Sequence, residues 1–90
     1  MRIGNASIKM IEANPYGLEF VEKQTEDICL AAVRQNPFSL QFVKEQTEDI
    51  CLAAVRQDGL SLKYVISQTA AIQVAALREN PNSCKYIKSS

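Results

Sequence analysis

Three sets of residues in this chain could do chemistry, and each recurs at one interval. Cys29 and Cys51 are 22 residues apart, the acid pairs Glu26–Asp27 and Glu48–Asp49 stand just before them, and Arg34, Arg56 and Arg78 follow at the same interval. Two cysteines at equivalent points of adjacent units could form a redox pair. Four carboxylates near two neighbouring helix starts could hold a divalent cation or an acidic docking patch. Three aligned guanidiniums could clamp phosphate or carboxylate groups. The chain has no histidine, the commonest general base and metal ligand. No nucleophile, base and orienting group combine into a catalytic constellation, so no catalytic residue is assigned. Zinc would need four ligands with short paired spacings, whereas Cys29, Cys51 and Cys84 are 22 and 33 residues apart. No metal and no cofactor is expected.

Each set also has a structural reading, and that reading is preferred. Cys29 and Cys51 sit inside the apolar run ICLAAV, where a buried cysteine behaves as a small hydrophobe. Cys84 falls where Leu18, Leu40 and Leu62 fall and is expected in the core. The acid pairs fit the first turn of a helix and the arginines its last turn, as the helix dipole favours.

The interval is a repeat. Residues 14–35 read NPYGLEFVEKQTEDICLAAVRQ and residues 36–57 read NPFSLQFVKEQTEDICLAAVRQ. They differ only at Tyr16/Phe38, Gly17/Ser39, Glu19/Gln41, Glu22/Lys44 and Lys23/Glu45. Residues 58–79, DGLSLKYVISQTAAIQVAALRE, are a drifted third copy, and 80–90, NPNSCKYIKSS, the first half of a fourth. Residues 5–13 match the second half of the unit in their apolar positions, with Ile8 at the slot of Leu30 and Ile11 at that of Val33. The whole chain, 1–90, therefore reads as a single domain: a half unit, three full units and a closing half unit.

Each unit predicts two short helices. Asn14, Asn36 and Asn80 precede Pro15, Pro37 and Pro81; asparagine caps well and proline suits the first helical position. Asp58 and Gly59 replace that pair in the third unit. The first helices are expected over Pro15–Lys23, Pro37–Glu45, Gly59–Ser67 and Pro81–Lys88. Thr25, Thr47 and Thr69 cap the second helices, whose interior is apolar nearly all round and must be buried on more than one side. Helices this short are unstable alone, and one unit cannot cover its own apolar surface, so the units must stack. The expected fold is an all-α solenoid of about eight short helices with connectors of one or two residues. The opposite signs at Glu22 and Lys44, and at Lys23 and Glu45, would suit salt bridges between units. Gln24, Gln46 and Gln68 precede each threonine and are expected to bridge connectors by hydrogen bonds to backbone. Asn82, Ser83, Lys85, Lys88, Ser89 and Ser90 give the last half unit a wetter face, as a cap closing a complete array would have.

These letters, NPxxLxFV then QTEDICLAAVRQ then DGLSLKYV, resemble the repeats of the domain-of-unknown-function family 4116 from about Asn5 to Ile87. The resemblance implies short two-helix units with an alanine-rich second helix and no assigned activity. Its members look like repeat arrays in bacterial, phage and large-virus proteins, which points to such a source. The third unit departs from the pattern: Gln73 stands at the cysteine slot and Ala70–Ala71 at the acid pair.

The chain is 47% hydrophobic and 22% charged, as an ordinary folded domain is. Ten basic residues balance ten acidic ones, which disfavours general nucleic-acid binding. The acids lean to the front of the chain and the rear is slightly basic. No signal peptide or membrane span stands out, so a cytoplasmic protein with reduced thiols is expected. Aromatic residues occupy two slots: Tyr16, Phe38 and Leu60 in one, expected partly exposed, and Phe20, Phe42, Tyr64 and Tyr86 in the other, expected in the core. Repeat solenoids act mostly by binding, and aromatics with arginine are the usual interface anchors. The expected function is a non-enzymatic protein-binding module, such as a small phage- or mobile-element-encoded inhibitor or adaptor of a host protein. The chain would be a monomer or weak homo-oligomer. Its candidate partner surface comprises Arg34, Arg56, Arg78, Tyr16, Phe38, Glu26, Asp27, Glu48 and Asp49. Two alternatives stay open: phosphate or nucleic-acid binding through the arginine column, and a purely structural, self-associating role.

Overall fold

Each α-helix starts where a threonine can cap it. The side chains of Thr25, Thr47 and Thr69 accept from the backbone N–H of Ile28, Ile50 and Ile72, each at 3.3 Å, which satisfies one donor that the first turn leaves unpaired. A computed structural model describes residues 15–88, and of Pro15, Tyr16 and Phe20 only the backbone. The described elements are the 3-10 helix η1 (Pro15–Phe20), the α-helix α1 (Glu26–Gln35), η2 (Pro37–Phe42), α2 (Glu48–Gln57), η3 (Gly59–Tyr64), α3 (Ala70–Glu79) and η4 (Pro81–Tyr86). No strand occurs among the described residues, and the fold is all-α. The half unit expected over 5–13, with Ile8 and Ile11, lies outside the described residues, as do the Asn14 cap, Ser89 and Ser90.

One residue ends each α-helix and begins the next 3-10 helix. The Asn36 N–H donates to the Ala32 carbonyl at 2.9 Å, while its Oδ1 accepts from the Phe38 N–H at 3.0 Å. Asp58 and Asn80 do the same, accepting from Leu60 and Asn82. Asp58 and Gly59 thus reproduce the Asn-Pro start with different letters. Gly59 is also a point of close approach, since an added Cβ would press on the Ala76 carbonyl oxygen of α3.

The first helices are shorter and tighter than their letters predict. Helices expected to reach Lys23, Glu45, Ser67 and Lys88 stop at Phe20, Phe42, Tyr64 and Tyr86, and they are 3-10 rather than α. Val43 and Val65 are already extended, with φ −79° and ψ near 120°. The backbone groups that a longer helix would use internally are bonded elsewhere: the Phe42 carbonyl and the Lys44 N–H both pair with the Gln24 side chain of the preceding unit. The connector into each α-helix is therefore five residues long, 21–25, 43–47 and 65–69; only the connector out of it is a single residue.

Contacts among the described elements run between neighbours. Each α-helix touches the next α-helix, each 3-10 helix the next 3-10 helix, and each α-helix the 3-10 helices on either side of it. One core runs through all of them. Leu18, Leu40 and Leu62 from the 3-10 helices, Ile28, Ile50 and Ile72, Val33 and Val55, and Ala32, Ala54 and Ala76 are buried. A fully buried leucine or isoleucine contributes about 1.5–3 kcal/mol relative to leaving it exposed. The second aromatic slot is half-buried rather than core: Phe42, Tyr64 and Tyr86 lie against the core from outside. Ser39, Ser61 and Ser83 are wholly buried, so Ser83 does not wet the last half unit, although Asn82, Lys85 and Lys88 are exposed there.

Candidate functional site

The residues that make the most polar contacts between units are the three glutamines. Gln24 Nε2 donates to the Leu18 carbonyl at 3.1 Å in its own unit and to the Phe42 carbonyl at 2.9 Å in the next. Its Oε1 accepts from the Lys44 N–H at 2.8 Å and from the Cys29 thiol at 3.8 Å. Gln46 repeats the pattern with Leu40, Tyr64, Ile66 and Cys51 at 3.3, 2.8, 2.9 and 3.6 Å. Gln68 repeats it with Leu62, Tyr86 and Lys88 at 3.5, 2.9 and 2.9 Å. The amide serves here because it donates and accepts at once, and each clamp fixes one unit against the next.

The cysteines complete this frame. Cys29 and Cys51 are buried, and each thiol points its hydrogen at the Oε1 of its clamp. Burial, with a smaller contribution from the Glu26 carboxylate, pushes the Cys29 thiol up to about 11. Burial and Glu48 do the same to Cys51. Where the third unit has Gln73, its Nε2 donates to Gln68 Oε1 at 3.1 Å. The slot conserves a donor for the clamp, not a thiol for reaction. Cys84 departs from expectation: it is exposed, not core. No described α-helix or 3-10 helix follows η4, whereas α1 and η2 follow η1 and pack against it, and Leu18 of η1 is buried.

Thiol titration tests this. In the native protein an alkylating reagent at mildly alkaline pH should modify Cys84 and leave Cys29 and Cys51 intact, as read by peptide mass spectrometry. A thiol of ordinary pKa in the unfolded chain ionises before one held at about 11 in the fold. Between those values the unfolded state binds fewer protons, so stability falls as pH rises through that window. Rapid native modification of Cys29 near pH 8 would contradict the buried, protonated state.

The other sequence candidates separate into two places. Arg34, Arg56 and Arg78 are all exposed in the last turns of their helices. Arg56 and Arg78 share one open groove of about 580 Å³, floored by α3; Arg34 does not line it. Glu26, Asp27, Glu48 and Asp49 are exposed in the first turns of α1 and α2. No group of three His, Cys, Asp or Glu residues arranged to hold a metal ion occurs among the described residues. Glu22, Lys23, Lys44 and Glu45 line a second shallow cleft with Gln24 and Thr25. The salt bridges expected there do not close: no ion pair within 4 Å joins them. All four side chains are exposed, where such a pair gains little.

Phe38 is half-buried and already engaged. Its ring meets Tyr64 edge-on at 6.1 Å, and Lys63 Nζ lies 5.9 Å from the Phe38 centroid and 5.0 Å from that of Tyr64. Lys85 covers Tyr86 in the same way at 5.3 Å. Leu60, also half-buried, shares the Phe38 slot; the side chain of Tyr16, the remaining member of that slot, lies outside the described residues. Sequence reasoning missed these two lysines. The signal was the dipeptide Lys-Tyr at 63–64 and 85–86, where the first two units have Glu-Phe and Gln-Phe. It also missed Gln57, whose Nε2 donates to the Val33 carbonyl of the preceding unit at 2.7 Å.

No helix among the described residues is long and apolar enough to cross a membrane. No curated protein and no solved structure matches the chain. From the Thr25 cap to the Gln68 clamp, residues 25–68 match the model of the family described as Domain of unknown function (DUF4116), the family that the repeat letters resemble.

Proposed function

We propose that the chain is a short helical-repeat solenoid that binds a partner protein in the cytoplasm and performs no catalysis of its own. One observation carries this reading. The third unit keeps the frame of the first two but becomes apolar at positions that the frame leaves exposed. Ile66, 67% exposed, replaces Lys44. Ala70 and Ala71, both exposed, replace Glu48 and Asp49. Beside them Val74, at a slot that is apolar in every unit, is 47% exposed where Leu30 and Leu52 are half-buried. Scattered apolar residues on a surface are ordinary. Here copies of one frame can be compared, and folding does not require the changes. The buried thiols at about 11 and the clamps' use of the recurrent glutamines fit a scaffold rather than a reactive centre.

The test is capture followed by reconstitution. The tagged chain, expressed at native abundance in its own cell, should enrich a protein that then binds the purified chain at a defined stoichiometry in calorimetry. The enrichment should fall for an Ile66→Lys variant, which restores the type of residue that the second unit carries. A chain that enriches no protein capable of reconstituted binding overturns the reading. A concentration-dependent rise in mass by light scattering, without a partner, would favour self-association instead.

A further inference from the structure

The groove on the third unit is chemically unlike the equivalent surface of its neighbours. Its floor is Ala70, Ala71, Val74 and Ala75, one face of α3. Arg56 of α2 and Arg78 of α3 stand at its edges, with Glu79 beside them. Neither guanidinium is in an ion pair within 4 Å among the described residues. In α2 the positions of Ala70 and Ala71 hold Glu48 and Asp49, which would oppose any anion. Their replacement by alanine removes two negative charges and leaves an apolar floor beside two exposed guanidiniums.

We propose that this groove receives a short segment of the partner protein in which an apolar side chain is flanked by carboxylates. The inference rests on the protein-binding reading above and names where and what the chain binds. The apolar side chain would cover Val74 and the alanines, taking their surface out of water. The carboxylates would meet Arg56 and Arg78, whose planar donors suit them and whose pairing strengthens as water leaves. A nucleic-acid backbone matches less of the site, because it would leave the apolar floor wet. The chain as a whole carries no net charge to draw a polyanion in.

Fluorescence polarisation on the full chain tests this with four labelled probes. They are a short peptide with leucine between glutamates, the same peptide with glycine for leucine, the same with lysines for glutamates, and a single-stranded oligonucleotide of similar length. The Glu-Leu-Glu peptide should bind saturably, and the others at least about tenfold more weakly. An A70E/A71D variant writes the second unit's own residues into the third, where first-turn acids suit the helix dipole. It should fold, as a thermal melt will check, and lose at least about tenfold in affinity; R56A/R78A should lose a similar factor. Undiminished binding by A70E/A71D, equal binding of the glycine peptide, tighter binding of the oligonucleotide, or no binding of any probe overturns the proposal. A captured partner whose affinity is unmoved by A70E/A71D sinks the groove assignment and leaves the protein-binding reading standing. Failure to capture any partner sinks that reading separately.

Discussion

A Gln46→Ala variant should lose about 2–3 kcal/mol of stability and melt roughly 10–20 °C below the parent protein. The side chain joins two units through four groups: the carbonyls of Leu40 and Tyr64, the N–H of Ile66 and the thiol of Cys51. Alanine leaves all four to find water or go unpaired. A partly buried N–H or carbonyl without a partner costs on the order of 1 kcal/mol or more. Water reaches some of these groups, which keeps the total below the sum of full penalties. Gln41→Ala is the matched control. Gln41 is exposed and makes one local bond, to the Phe38 carbonyl at 3.0 Å, so its loss should cost less than about 0.5 kcal/mol. Chemical denaturation of both variants reads the difference. Equal midpoints would mean that apolar packing alone holds the units in register.

That clamp marks the boundary between what was legible in the letters and what was not. Its existence was legible, because a glutamine at 24, 46 and 68, each beside a capping threonine, asks for a repeated backbone partner. Its consequence was not. The bonds from Gln24 to the Phe42 carbonyl and the Lys44 N–H deny those groups to a longer helix. The first helices therefore end at Phe42 and its equivalents, and an extended connector follows. Amphipathic spacing over Leu40, Phe42 and Val43 cannot distinguish a 3-10 turn from an α-helix at this length, since a run of a few residues fits both periods. The capping residues at 25, 36, 47, 58, 69 and 80 were legible because capping is local chemistry. The groove was half legible. The loss of the acid pair at Ala70–Ala71 showed which letters had changed, but only the fold brings Arg56 of the preceding helix to the edge of the same depression.

The same slot, tested at two places in the array, shows why sequence alignment between units does not transfer burial. Leu40→Ala should cost about 3–4 kcal/mol, within the range for a leucine removed from a closed core. Cys84→Ala, at the equivalent position of η4, should cost less than about 0.5 kcal/mol. Leu40 is wholly buried, and η2 is packed by α1, α2, η1 and η3. Among the described elements η4 meets only η3 and α3. Each wholly buried member of this slot, Leu18, Leu40 and Leu62, has a described α-helix and 3-10 helix after it that pack on its own 3-10 helix. Cys84 keeps the letter pattern without those two neighbours among the described elements, and it is exposed. Thermal melts of the two variants decide the matter. If Cys84→Ala lowers the midpoint as far as Leu40→Ala, burial belongs to the slot itself and the dependence on the following unit is wrong. If only Leu40→Ala does so, adding a further α-helix after η4 should bury position 84 and make leucine there stabilising.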